Sequence, residues 1–570
     1  MRQDSFAKLA SWLPFQAVGL PTSASLKGDL AAGLTLAAIA VPEQMATARL
    51  GGFSPMTGLY AFVAAGLAFA AFGSSRRLSA GADSTITPIF VGGLTGLALA
   101  GAGGFGGAAS LLALMVGVLV ALAGLLRLGW MADLLSKPVL TGFLAGIAVH
   151  IVLSQAPTLL GLPEESGDVY HRLTLLTQAM GATQPAALAI GIGVFGLIVG
   201  LEKLSPRLPG ALIALLLSIW LTWLLKLQSH GVAVIGSLGS GVPTFGAPAF
   251  TLRAAASLVS LAVVTALVVM VQTAATTRAF PDANDDPDVN RDYIGIGAAS
   301  IFAGLVGAFP VNASPPRTSA VVEAGGRTQL GGLAAAALVA ALALWGGGLL
   351  AAVPKAALGG VLLFVAQRIF RVQVFAALAR RTRGEFALAA LTTALIVVLP
   401  IQAGVTIGIF LSLAHGMFTT TRTHLILFEH QPGGTVWWPV TPDRPGETLP
   451  GVVVVGFQAP LSFLNAYEFR RNLLMALDRA SPPARLCVLE AGSIVEIDFT
   501  ASEVLLQVID AARRRGVNMA VARLESVRAQ AAFDRFGITD RLGRDHIFRS
   551  VDEAIRVLAS SEATLPQRRP

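Results

Sequence analysis

The chain has 570 residues, of which 54% are hydrophobic and only 13% charged, about half the roughly 25% charged share of a soluble domain. That composition excludes an ordinary soluble enzyme. A formal charge of +8 does not point to nucleic acid, because no basic stripe interleaved with aromatics occurs and the Lys and Arg residues gather in short loops between apolar segments.

The first stretch, residues 1–28, is polar and mixed, without the basic stub, short apolar run and cleavage site of a signal peptide. Apolar segments near the ~20 residues of a bilayer span follow at 30–50, 55–73, 84–101, 109–130, 138–160, 185–202, 209–226, 253–279, 291–309, 313–325, 328–352, 355–370, 384–400 and 402–420. Fourteen spans put both termini on one side. Lys203 and Arg207 follow the sixth, Arg278 the eighth, and Arg380, Arg381 and Arg383 the twelfth, whereas the loop after the third is uncharged and that after the fifth holds Glu164, Glu165 and Asp168. The positive-inside rule therefore makes both termini cytoplasmic, in a multi-pass protein of the inner (plasma) membrane.

The third and tenth segments begin with polar or proline-containing stretches, FGSSRRLSAGADSTITP and FPVNASPPRTSAVV, seven spans apart. Interrupted backbone is tolerated at membrane depth only where it faces protein or a cavity. Paired interruptions at matching places in two halves indicate seven-plus-seven inverted repeats with a site between half-helices. Residues 29–424 thus form a helical transmembrane domain.

Beyond it, HQPGGTVWWPVTPDRPGE reads as a linker (425–449) with an entering strand. Residues 450–562 alternate strand-like runs (GVVVVGFQ, ARLCVLEAG, NMAVAR) with helical stretches such as NAYEFRRNLLMALDRA and ASEVLLQVIDAARRR, the pattern of a small α/β domain. The single cysteine, Cys487, lies there and permits no intrachain disulfide, in keeping with a reducing compartment.

VPEQMATARLGGFSPMTGLYA, GSSRRLSAGADST, VNRDYIGIGAASIFAGLVGAFPVNASPPRTSAVVEAGGRTQL and SIVEIDFTASEVL together resemble the sulfate permease family, whose animal members are the SLC26 anion transporters. The resemblance spans residues 25–560. It implies a core domain moving against a gate domain, a C-terminal cytoplasmic STAS domain and a homodimer. It further implies secondary transport of a small anion such as sulfate, a dicarboxylate, bicarbonate or chloride, by proton-coupled symport or by exchange.

An anion entering a low-dielectric core must meet donors or positive charge. Two half-helix N-termini supply these: the first turn after Gly81, with Asp83, Ser84 and Thr85, and the turn after Ala313, with Ser314, Pro315, Pro316, Arg317 and Thr318. Proline suits the first helical turn, where its missing N–H has no partner to lose. Arg317 matches an arginine that family members carry at the start of segment ten. It either lends positive potential to the anion or pairs with Asp83 or Glu43.

Glu43 follows Pro42 in the first span, where many family members have Gln. Burial disfavours the charged form of a carboxyl, so Glu43 either loads a proton with the substrate or sits neutral or paired at a helix bend. Asp83 departs from the family's Gly-Pro-apolar pattern and reads as a helix N-cap, a proton carrier or a cation's partner. In segment eight, sodium-coupled relatives carry an acidic residue four before a threonine; the matching positions here are Gln272 and Thr276, so the carboxylate a hard cation wants is missing. Gln272 then hydrogen-bonds near the substrate or packs.

Asp498 and Thr500 stand where STAS regulators are phosphorylated, or merely cap a helix. Asn312-Ala313-Ser314 fits a glycosylation triplet but lies inside a span. The seven histidines show no metal-ligand spacing and no G-x-x-x-x-G-K-[ST] loop occurs, so no cofactor is expected and gradients must supply the energy. A nucleobase symporter of the same fold would place carboxylates where Gln272 and Pro316 stand. A membrane sensor signalling through the STAS tail would lack concentrative transport. An enzyme would need a nucleophile, metal cluster or cofactor loop, and none is found.

Overall fold

Each of the fourteen apolar segments forms helix, in whole or in part, in the computed structural model of the chain, which describes residues 23–95, 104–130, 136–162, 169–205, 209–236, 251–281, 288–421, 425–440 and 446–559 with a few isolated positions besides. Most of the N-terminal stretch, the loop with Glu164, Glu165 and Asp168, Arg207, and residues 560–562 lie outside the described residues. Two compact units result, Met1–Leu413 and Ala414–Pro570.

The first unit comprises α1 (Ser23–Leu50), α2 (Pro55–Phe72), β1 (Ala80–Gly81), α3 (Thr87–Thr95), α4 (Gly104–Leu125), α5 (Lys137–Leu160), α6 (Val169–Ala179), α7 (Pro185–Leu204), α8 (Gly210–Leu224), α9 (Leu252–Ala279), α10 (Val289–Leu305), β2 (Asn312–Ala313), α11 (Pro315–Glu323), α12 (Leu330–Trp345), α13 (Gly347–Ala351), α14 (Lys355–Ile369), α15 (Val372–Arg381), α16 (Arg383–Val398) and the start of α17 (Ile401–Thr421). The interrupted third and tenth segments are half-length helices, α3 and α11, of nine residues each. Each follows a two-residue strand. Between α14 and α16, where the sequence predicts the basic loop after the twelfth segment, the chain forms the further short helix α15.

Packing obeys the expected repeat. Exchanging the halves, α1 with α9, α2 with α10 and α4 with α12, maps the α10–α4 contact onto α2–α12 and the α9–α4 contact onto α1–α12, and all four pairs pack extensively. A second bundle joins α5 to α14 and α16, and α14 to α7. Lipid offers no hydrophobic gain over a neighbouring helix, so close approach of small residues drives association. Gly117 of α4 and Gly297 of α10 meet so tightly that a Cβ built on either would lie 2.6 Å from the other's carbonyl oxygen. Gly297→Val is therefore expected to cost about 1–3 kcal/mol or more and to lower the melting temperature in detergent. Gly193→Val, with nothing within 4 Å, should not lower it.

The second unit continues through β3 (Leu425–His430), β4 (Trp437–Pro439), β5 (Val452–Phe457), α18 (Ala466–Arg479), β6 (Leu486–Glu490), α19 (Phe499–Arg514), β7 (Asn518–Ala522), α20 (Val527–Arg535), α21 (Ile538–Leu542), β8 (Ile547–Phe548) and α22 (Val551–Ala559). Its sheet runs β4-β3-β5-β6-β7-β8, with β5 to β8 parallel. Parallel strands covered on both faces read as unbroken apolar runs. Val455, Cys487, Leu489 and Val521 face α18, α19 and α20, while Val454, Val488 and Ala520 face α22.

Residues 425–449, expected to hold a linker with one entering strand, hold two strands, β3 pairing β5 and β4 pairing β3, both antiparallel. The Pro and Gly residues of this stretch hid one of them. Cys487 is fully buried, and burial pushes its thiol up to about 12. Maleimide should accordingly label the native chain negligibly at neutral pH and label it once per chain after denaturation, read by intact mass.

Candidate functional site

The functional region is built where the two halves meet. β1 and β2 run antiparallel with Ala80 opposite Ala313 and Gly81 opposite Asn312. Ser314 N donates to Ser79 O at 3.0 Å, and Ser79 N donates to Thr318 Oγ1 at 3.1 Å. The turns at Ala82 and Arg317 are thereby in contact, 3.0 Å apart at Ala82 O and Arg317 Nη1.

Polar side chains that the sequence reading passed over hold this junction. Asp292, fully buried, accepts from the Ser74 and Ser75 amides at 2.9 Å each, from the Ser74 hydroxyl at 2.8 Å and from Thr277 at 2.7 Å. Gln329 Nε2 donates to Ser75 O and Leu78 O at 2.9 and 2.8 Å. Asp29 likewise accepts from the Arg327 and Thr328 amides and the Thr328 hydroxyl at 2.6, 2.9 and 2.7 Å. Buried backbone groups without partners are costly, so these three residues make the broken spans tolerable. Each stands among polar neighbours at the start of a helix (LKGDL, VNRDY, GRTQL), where nothing in the sequence sets it apart.

Arg317 is the largest fully buried side chain. Its Nη1 donates to Glu43 Oε1 at 2.8 Å and to Ala82 O at 3.0 Å. Its Nε and Nη2 have no hydrogen-bond partner among the described residues. The guanidinium abuts Gly81, where a Cβ would stand 2.9 Å from the Phe62 ring, 3.0 Å from Gln44 Oε1 and 3.2 Å from Nη2, so a side chain there would crowd all three. Gln44, next to Glu43, locks the opposite wall: its Oε1 accepts from Ala82 N at 2.7 Å and its Nε2 donates to Ala82 O at 2.9 Å. Of the partners open to Arg317, the structure selects Glu43.

Asp83 closes the start of α3. Its carboxylate accepts from Thr85 N at 2.8 Å and from the Thr85 hydroxyl, and its carbonyl accepts from Thr87 N at 3.1 Å. That is an N-cap. The α3 terminus, which favours negative groups, is thus met by a carboxyl group of the chain itself, and the Thr85 amide is already engaged. Because the Thr85 proton goes to Asp83, its oxygen accepts from Gln272 Nε2 at 2.8 Å, while Gln272 Oε1 accepts from Asn312 Nδ2 at 2.7 Å. Gln272 therefore bridges the two half-helices.

Thr276 donates to Gln272 O at 2.8 Å within its own helix. Ser84, Ser314 and Thr318 are buried at the junction. Pro315 and Pro316 fill the first two positions of α11, and Pro316 is exposed. Asn312 of the glycosylation triplet is fully buried. In the second unit Asp498, not Thr500, caps α19, accepting from Ala501 N at 2.8 Å and Phe463 N at 2.7 Å. Among the described residues no group of three or more His, Cys, Asp or Glu is placed to hold a metal.

Comparison with known proteins agrees with this architecture. The sulfate permease family profile matches residues 26–392 and the STAS domain profile residues 446–554. "Probable sulfate transporter MT1781" of Mycobacterium tuberculosis is 34% identical, over 93% of this chain and 95% of its own length. Mouse "Solute carrier family 26 member 10" is 26% identical over 93% and 83%. The inward-facing structure of the murine Slc26a9 anion transporter superposes with a TM-score of 0.87 at 19% identity, covering 98% of this chain and 95% of that one.

Proposed function

This chain belongs to the sulfate permease family of anion transporters, and on that footing we propose that it is a proton-coupled anion symporter working by an elevator-type motion. Sulfate is the first candidate, since the more similar relatives are named for it; dicarboxylates share its charge. The core carrying α3 and α11 moves against the bundle of α5, α7, α14 and α16, in a homodimer of the inner membrane with both termini cytoplasmic.

The observation that carries this reading is the divided guanidinium of Arg317, with Nη1 held by Glu43 and Nε and Nη2 unpartnered. A buried arginine holds an oxyanion, whether a tetrahedral sulfate or a planar carboxylate, through two parallel N–H groups. Glu43 competes for the same charge. Protonation of Glu43 removes its claim on Arg317, which leaves the full positive charge for the substrate, so anion and proton bind together. Asp83 and Gln272 act as positioning residues, and Ser314 and Thr318 hold the facing turn. Sodium has no carboxylate at Gln272 to bind.

The test is uptake of labelled sulfate, fumarate, bicarbonate and chloride into proteoliposomes under imposed proton, sodium and zero gradients. Accumulation above equilibrium under an inward proton gradient is expected. Accumulation under sodium alone, or none under any gradient, would contradict the reading, the latter in favour of an exchanger or sensor.

A further inference from the structure

The helix α15 is placed where two membrane helices turn. Two residues separate it from α14 and one from α16, too few to let it stand far from the ends of either helix. Phe375 of α15 stacks on Phe370 with ring centroids 5.8 Å apart, and meets Phe386 of α16 edge-on at 6.4 Å. Its N-terminal half is thus held through Phe375 against the chain leaving α14 and against α16.

None of its ten residues is buried. At 100° per residue Val374, Phe375, Leu378 and Ala379 share one side with Val372 at its edge, and Gln373, Arg380 and Arg381 occupy the other. Phe375 and Leu378 are half-buried, yet Val372 is 62% exposed and Val374 36%. Arg371, Arg380, Arg381 and Arg383 are all exposed, and none has an ion-pair partner among the described residues. The neighbouring acids are engaged elsewhere: Glu202 lies 3.6 Å from Arg368, and Glu385 accepts from Thr382 at 2.9 Å. An apolar edge left bare beside four unpaired guanidiniums matches a surface that offers acyl chains below and phosphates above.

We propose that α15 is an interfacial helix that binds anionic phospholipid headgroups, with Val372 and Val374 in the acyl boundary and the four arginines on headgroup phosphates. Arginine suits the role because its planar fork pairs with phosphate bidentately. The anchor would hold the turn between α14 and α16 at a fixed membrane depth.

The test uses the full-length chain in vesicles. Cys487 is buried, so a bimane fluorophore placed through Val372→Cys reports from α15 alone, with Gln373→Cys as the polar-side control. Brominated phosphatidylglycerol and brominated phosphatidylcholine are compared as quenchers at equal mole fractions in otherwise identical bilayers. At Val372→Cys, quenching by the anionic lipid is expected to exceed that by the zwitterionic one about fivefold or more. The ratio should fall to about one when Arg371, Arg380, Arg381 and Arg383 are all replaced by Gln, in protein that still elutes as a single species. Three results would overturn the proposal: equal quenching by both lipids in the parent protein, no quenching by either, or loss of the preference on adding inorganic phosphate, which would mark a patch for free anions.

Discussion

Glu43→Gln is expected to abolish proton-driven accumulation while leaving anion counterflow across the same membrane. The amide keeps an oxygen for Arg317 Nη1, which now lies 2.8 Å from Glu43 Oε1, so the fold should hold. What it loses is the charge that competes with the substrate. In the parent protein uptake should rise as the outside is acidified, because protonated Glu43 no longer neutralises Arg317; in the variant it should be flat with pH. Counterflow and gradient-driven uptake in one preparation check both halves. A variant that kept its pH response would remove Glu43 from the mechanism.

Arg317→Gln should weaken anion binding roughly a hundredfold, since charged hydrogen bonds contribute about 1.5–3 kcal/mol each. Removing one member of a buried ion pair also costs about 3–5 kcal/mol by stranding the other. The single variant is therefore expected to be less stable, and combining it with Glu43→Gln should recover stability without recovering binding. Thermal melting with and without sulfate separates the effects. A double variant that was still stabilised by sulfate as strongly as the parent would remove Arg317 from the site.

The fold was legible to the extent that it depends on run length and on breaks in runs. Spans announce themselves by about twenty apolar residues, and the polar starts of α3 and α11 stand out because they violate that rule. What no local pattern encodes is the choice among partners brought together by folding. Arg317 lies in the second half of the unit, and Glu43 and Asp83 in the first; nothing in their spacing says that the former pairs and the latter caps its own turn. Asp29, Gln44, Asp292 and Gln329 escaped notice for a related reason. Their task is to satisfy backbone groups of distant loops, and a loop's unmet hydrogen bonds leave no mark in the sequence of the residue that meets them. Proline and glycine at their flanks hid one of the strands β3 and β4.

Proton uptake on anion binding measures the competition between Glu43 and substrate for Arg317 directly. Purified protein in weakly buffered detergent solution with a pH indicator should take up about one proton per sulfate bound, and Glu43→Gln should take up none while still binding. Sulfate binding with no proton uptake by the parent protein, or equal uptake by parent and variant, would contradict the account.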